Sequence, residues 1–287
     1  MAISKEFKGE KMQKETLLEY LQRKIKRQRG DYKNKILFSQ RILNPYLKVK
    51  YRFSKDYKNA LAMQLDLIEN AIVDPNGIGG INLKLHNAHV PKRYYDIFYR
   101  IFREMGGGNP KITIDCGAHA GLVTDLLLDC GAVVHLFEPN DILFPILQNK
   151  YKNNKNVILH KAALSNKDGK AKFMLNDSIS QGNRLDSSGD YNEGYDEYYE
   201  VEVIDLVRYI NENILNTNDR IYFLKLDIEG AEFDIIDKII ETKLYEKIDY
   251  IACETHERYF IDGKNKITNL KRLIKEHNIN NILLDWI

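Results

Sequence analysis

From Lys111 onward, short apolar runs alternate with segments of helical period, and this alternation restricts the fold more than any other feature of the chain. Ile112 and Ile114 mark a strand, Leu122 to Cys130 a helix, Val133 to Phe137 a strand, Asp141 to Lys150 a helix and Val157 to His160 a strand. Further on, Ile221 to Leu226 reads as a fourth strand, Ala231 to Ile240 as a helix and Tyr250 to Cys253 as a fifth strand. Thr268 to His277 is a helix, and Ile282 to Leu284 starts a sixth strand. Apolar runs such as Val133 to Phe137 suit strands covered on both faces. Strand and helix in turn predict an α/β domain over residues 111–287, built on a Rossmann-like doubly wound parallel sheet.

The rhythm breaks at about residues 166–203. Lys170 to Leu175 and Tyr199 to Val203 read as two extra strands, and the polar segment Asn176 to Tyr198 lies between them. A loop of that length is usually functional or disordered. Before the alternation begins, residues 1–110 read as an N-terminal helical extension with candidate helices at Met12–Arg29, Asp56–Ile72 and Lys92–Met105. Asp74-Pro75-Asn76-Gly77, with the glycines after it, predicts a loop or boundary, and Gly106-Gly107-Gly108-Asn109-Pro110 predicts a second break.

Charge is uneven along the chain. The net charge is only +2, yet residues 1–50 carry 14 Lys and Arg against 5 Asp and Glu. A basic arm of this kind contacts a partner, a membrane surface or nucleic acid, or is simply a solvated helix face. No run of about 18 apolar residues occurs, which excludes a membrane-spanning helix, and the polar stretch Met1 to Glu10 lacks a signal-peptide core. The three cysteines, Cys116, Cys130 and Cys253, are too few and too widely spaced for a disulfide framework or a zinc site. They fit buried thiols, and a cytoplasmic protein is expected.

The first strand runs into Asp115-Cys116-Gly117-Ala118-His119-Ala120-Gly121. Glycines here let the backbone turn sharply and approach a ligand. A dinucleotide site would show G-x-G-x-x-G, with the pyrophosphate received at the helix N-terminus. The pattern present is D-x-G-x-x-x-G, with an acid that repels phosphate but attracts a cationic amino group. S-adenosylmethionine offers such a group and no phosphate. The second strand ends in Leu136-Phe137-Glu138-Pro139-Asn140, which puts Glu138 23 positions after Asp115. An acid at that strand tip can accept both ribose hydroxyls.

Together with Ala162-Ala163-Leu164-Ser165, Leu224-Lys225-Leu226-Asp227-Ile228-Glu229-Gly230-Ala231-Glu232 and Tyr250-Ile251-Ala252-Cys253-Glu254-Thr255-His256, these motifs resemble the FkbM methyltransferases over about residues 111–260. The resemblance implies a class I methyltransferase fold that uses S-adenosylmethionine. It implies methyl transfer most often to oxygen, on a saccharide, polyketide or other small metabolite. It places Asp115, Gly117 and Gly121 at the methionine part of the cofactor, Glu138 at the ribose and Ala163 beside the adenine, with Pro139 as a further cofactor contact. His119 stands where the family often has Asn and is a further cofactor contact. The usual class I sheet has a seventh, antiparallel strand. Six strands are legible here, so the last is either truncated or replaced by another element.

The acceptor side is read from the strand tips, since ligands bind beyond the carboxyl ends of such strands. Asp227 and Glu229 follow the fourth strand and are candidate catalytic acids; a first-turn acid such as Glu229 or Glu232 also suits the helix dipole. Glu254 and His256 leave the fifth strand on the same side. His256 is a candidate general base and Glu254 a candidate substrate contact. Asp227 with Glu254 would suit Mg2+, though nothing in the sequence requires a metal. Ser180, Asn183 and Arg184 lie in the long polar segment and offer hydrogen bonds to a sugar, with Arg184 also suited to an acceptor phosphate or carboxylate. Methylation of nitrogen or nucleic acid, and a catalytically silent cofactor-binding scaffold, are the competing functions.

Overall fold

The computed structural model describes residues 66–104, 109–175, 178–186 and 197–286. The candidate helix Met12–Arg29, the basic arm and most of Asp56–Ile72 lie outside these residues. Residues 67–73 are helical, and from Leu67 onward the chain forms one compact unit. Two helices come next, α1 (Ile78–Asn87) and α2 (Tyr95–Arg103), the second entered through a 3-10 turn at Lys92–Tyr94. The sequence predicts a loop at the glycines that begin α1. They are helical because they pack against backbone: a Cβ on Gly80 would stand 2.0 Å from the Pro75 carbonyl oxygen.

The alternating segment builds β1 (Ile112–Cys116), α3 (Leu122–Asp129), β2 (Val133–Phe137), α4 (Leu143–Tyr151) and β3 (Val157–His160). After an insertion come β8 (Ile221–Leu226), α6 (Glu232–Glu241), β9 (Ile248–Cys253), α7 (Gly263–Glu276) and β10 (Ile282–Leu283). These six strands form one sheet in the order β10-β9-β8-β1-β2-β3, and every pair in it is parallel. The order reverses direction beside β1, so the loops after β1 and β8 diverge to leave a crevice at the strand tips.

Helices cover both faces, which is the doubly wound arrangement. On one face, Ile81, Leu85, Phe98 and Leu127 pack with Val134, Leu136 and Phe223 of the sheet. Helices α1 and α2 therefore share a core with the strands. On the other face, Ile235, Ile239 and Leu270 pack on Ile114, Leu224 and Ile251. Each fully buried aliphatic side chain of this kind contributes about 1.5–3 kcal/mol. All three cysteines are buried and free. No helix among the described residues is long and apolar enough to cross a membrane.

The insertion folds as a second, smaller sheet. It comprises β4 (Ala163–Ser165), β5 (Gly169–Leu175), β6 (Arg184–Leu185) and β7 (Glu197–Asp205), ordered β4-β7-β5-β6. The two strands expected here pair antiparallel from Gly169 opposite Val203 to Leu175 opposite Glu197. Ala163, Phe173, Leu185, Val201 and Val203 form its apolar face. The chain then turns through α5 (Leu206–Tyr209) before entering β8.

Candidate active site

The tips of β1, β2 and β8 are tied together by backbone. Gly117 and Ala118 donate to the Phe137 carbonyl, and Asp227 donates to that of Cys116. Gly117 has φ +75°, and a Cβ there would lie 1.9 Å from the Asp227 carbonyl oxygen. Only glycine permits this turn. A cavity of about 550 Å³ opens directly in front of it. The cavity is lined by Gly117, His119, Glu138, Pro139, Ala163, Ser180, Asn183, Asp227, Glu229 and Glu254. Ten of the expected site residues thus converge on one space, although they come from six separate segments.

Glu138 is almost wholly buried. One carboxylate oxygen accepts the backbone N–H of His119 at 2.7 Å, the other that of Asn140 at 2.9 Å. Burial raises its pKa to about 7, although these two N–H groups pull the other way. A carboxylate held by two backbone donors, with its remaining lone pairs toward a cavity, is prepared to accept two more donors. Asn140 is also buried, and its side-chain oxygen caps the start of α4 by accepting the N–H groups of Ile142 and Leu143.

The polar segment of the insertion closes over this end. The His119 Nε2 donates to the Ile179 carbonyl at 3.0 Å, and the Asn140 amide donates to that of Ser178 at 3.1 Å. Ser180 and Asn183 are thereby carried to the cavity wall. Arg184 is not. Its guanidinium is buried 4.3 Å from the centre of the Tyr259 ring, and it is Tyr259, not Arg184, that lines the cavity. The expected contact of Arg184 with an acceptor anion is replaced by this stacking.

Asp115 also differs from the expectation. It is fully buried and does not line the cavity. One oxygen accepts the Thr124 hydroxyl at 2.6 Å, and the other faces the Lys225 ammonium at 3.3 Å. Asp115 and Lys225 are register partners on β1 and β8. Lys225 reaches on to Asp227 at 3.2 Å and donates to the Gly117 carbonyl at 2.9 Å. Burial disfavours the ammonium, but Asp227 and Asp115 outweigh that and raise its pKa. Asp115 therefore acts through Lys225, which fixes the glycine turn. Gly121, with φ +76°, packs against Tyr151, whose hydroxyl would be 2.4 Å from a Cβ there. It too is a packing residue rather than a cavity contact.

Beside the glycine turn, a carboxylate cluster surrounds His256. The imidazole is fully buried. Its Nδ1 is 2.8 Å from Glu232, and its Nε2 lies 3.2 Å from Glu229, 3.5 Å from Glu254 and 3.9 Å from Asp227. Burial alone would lower the His256 pKa, but the carboxylates of Glu229 and Glu232 raise it to about 10. The ring neither lines the cavity nor gives up its proton near neutral pH, so it is not the free general base its position suggested. Burial, reinforced by Asp227, raises the Glu254 pKa. Glu229 takes a left-handed φ of +61° and accepts the Tyr259 hydroxyl at 2.7 Å.

Two residues central to this geometry, Lys225 and Glu232, carry roles the sequence did not disclose. Lys225 is the one charged residue within the apolar run of β8, a detectable signal, but its partner is set by strand register. Glu232 receives the N–H groups of Ile228 and Gly230, so it shapes the loop that carries Glu229 as well as holding His256.

Residues 115–279, more than half of the chain, match the methyltransferase FkbM domain. The chain belongs to the FkbM methyltransferase family. Comparison with curated proteins gives no significant match. Among solved structures, similarity is found to the crystal structure of precorrin-6y C5,15-methyltransferase from Geobacter metallireducens GS-15. The identity is 12% and the TM-score 0.29, with 64% of this chain and 70% of that chain covered. Membership of the FkbM family makes the chain a methyltransferase, and such enzymes generally take the methyl group from S-adenosylmethionine.

Proposed function

We propose that this FkbM methyltransferase binds S-adenosylmethionine at the Glu138 end of the cavity and methylates a hydroxyl oxygen of a saccharide or related small metabolite in the cytoplasm. The observation that carries the reading is Glu138: a buried carboxylate, pinned by two backbone N–H groups, facing a cavity beside a glycine turn. That arrangement suits a pair of ribose hydroxyls and offers nothing to a pyrophosphate. The donor supplies an electrophilic methyl carbon attached to a sulfur that departs as a neutral thioether.

The residues would divide the work by position. Glu138 and Pro139 hold the ribose, Ala163 flanks the adenine, and the Gly117 backbone lies alongside the amino-acid portion. Ser180 and Asn183 offer hydrogen bonds to a polyhydroxy acceptor. A neutral alcohol is a poor nucleophile, so its oxygen must be aligned and its proton removed as the carbon–oxygen bond forms. Asp227, partly exposed to the cavity, stands where that proton would leave. Glu229 and Glu254 stand beside it on the same wall. The buried free thiols accord with a reducing compartment.

The test is incubation with methyl-labelled donor and a panel of free sugars, nucleotide-linked sugars, polyketide alcohols, amines and oligonucleotides. Label on a sugar or polyketide hydroxyl is expected. Label only on nitrogen or nucleic acid would overturn the oxygen assignment. Tight donor binding with no transfer to any acceptor would favour a silent scaffold.

A further inference from the structure

The carboxylates at the acceptor end exceed what a proton-transfer role needs. Asp227 and Glu229 come from the loop after β8, Glu254 and His256 from the exit of β9, and the three carboxylates lie 3.2–3.9 Å from the His256 Nε2. One donor atom each from Asp227, Glu229 and His256 lies within 4.8 Å of the others. Besides the His256 imidazolium, Lys225 and Arg258 face these carboxylates. Lys225 is shared between Asp115 and Asp227, and the Arg258 side chain, 3.5 Å from Glu254, is 56% exposed.

His256 supplies the independent observation. It is fully buried, yet no hydrogen bond reaches its Nε2 among the described residues. That nitrogen is aimed at Glu229, Glu254 and Asp227. The other ring nitrogen is held by Glu232, which the loop backbone fixes in turn. An imidazole anchored through one nitrogen to a carboxylate, with the other aimed at further carboxylates, is the usual posture of a metal-binding histidine, and a bound ion would displace the proton that those carboxylates otherwise keep on it. Spacing agrees. Bonds of about 2.0–2.2 Å to a metal place neighbouring ligand atoms roughly 3 Å apart, and the Nε2 to carboxylate distances run from 3.2 to 3.9 Å.

We propose that Asp227, Glu229 and His256, with Glu254 beside them, hold a divalent first-row transition ion of the Mn2+ kind at the acceptor end of the cavity. Carboxylates favour Mn2+ or Mg2+, and the imidazole shifts the preference away from Mg2+. The three carboxylates also line the cavity, so the remaining coordination positions face it. An acceptor hydroxyl bound there would lose its proton more readily. That role rests on the methyltransferase reading given above; the ion site itself does not.

The test uses the full chain, stripped with EDTA and titrated with MnCl2, with free Mn2+ followed by electron paramagnetic resonance. One ion per chain is expected, displaced by Zn2+ more readily than by Mg2+. Asp227→Asn and Glu229→Gln should each weaken it at least ten-fold, with circular dichroism unchanged. Glu254→Gln, at the cluster's edge, replaces either variant if it fails to fold. Absence of stoichiometric Mn2+ and Zn2+ binding would overturn the proposal, as would an ion that the folded variants hold with wild-type affinity. Calorimetry with S-adenosylhomocysteine on metal-free protein separates the two readings. S-adenosylhomocysteine binding by a protein that takes up no added ion sinks the metal site alone. An ion bound without S-adenosylhomocysteine affinity sinks the cofactor reading alone.

Discussion

Glu138→Ala is the most direct perturbation of the proposed cofactor end. In the wild type, each carboxylate oxygen spends one lone pair on a backbone N–H, at 2.7 Å from His119 and 2.9 Å from Asn140. The outward lone pairs remain for two ribose hydroxyls. Hydrogen bonds to a charged group contribute about 1.5–3 kcal/mol each. Losing two, with some recovery from water entering the vacated space, leaves a deficit of about 3 kcal/mol. That corresponds to roughly 10²-fold in affinity. The two freed N–H groups border the cavity and can be hydrated, so the stability loss should stay near about 1–2 kcal/mol. Calorimetric titration with S-adenosylhomocysteine at pH 8 measures the affinity, and thermal unfolding checks the fold. Glu138→Gln should fall between, since its amide turns one donor toward a backbone donor. Affinity within about three-fold of wild type in a folded Glu138→Ala protein would refute the ribose assignment.

Four further outcomes follow from the same geometry. S-adenosylhomocysteine should bind about ten-fold more weakly at pH 6 than at pH 8, because only the ionised Glu138 accepts both hydroxyls and its pKa is about 7; affinity should rise through pH 7 and then level, and a flat profile would contradict it. The same raised pKa means the folded chain keeps a proton that the unfolded chain has released, so this group's contribution lowers stability as pH rises from about 4.5 to 7, measurable by urea unfolding across that window. Lys225→Met should cost about 3–5 kcal/mol in urea unfolding by stranding buried Asp115, and wild-type stability would show that the ion pair is dispensable. Asp227→Asn should cut turnover about 10²–10⁴-fold while leaving S-adenosylhomocysteine affinity nearly unchanged, and a lost affinity would move Asp227 into the cofactor pocket.

The sheet was legible because buried parallel strands are written as local apolar runs. Val133–Phe137, Val157–His160 and Ile221–Leu226 have the bounds their composition implies. Short or conflicted elements were not. Ala163–Ser165 is three residues long and becomes a strand by pairing with β7, some 40 positions away. The segment Ile78–Asn87 starts with glycines that discourage a helix in isolation, and its helical state depends on packing. In the candidate site, Glu138 was readable because its contacts come from its own strand tip and the adjoining turn. Arg184 was not, because the Tyr259 ring captures a side chain that composition assigns to solvent or ligand.

By itself, the sequence determined the strand and helix alternation, the family motif set and the convergence of strand tips on one crevice. These depend on local apolar pattern and on the general rule that parallel strands share a carboxyl edge. The tertiary structure decided which acids at that edge face the cavity. Asp115 and Glu138 look alike as strand-tip carboxylates, yet Asp115 is spent on Thr124 and Lys225 while Glu138 opens to the cavity. His256 and Glu254 leave the same strand, yet one is buried on Glu232 and the other lines the wall. The reason is register and packing: a side chain's partner comes from whichever strand lies beside it. For Asp115 that partner is 110 positions away, at Lys225.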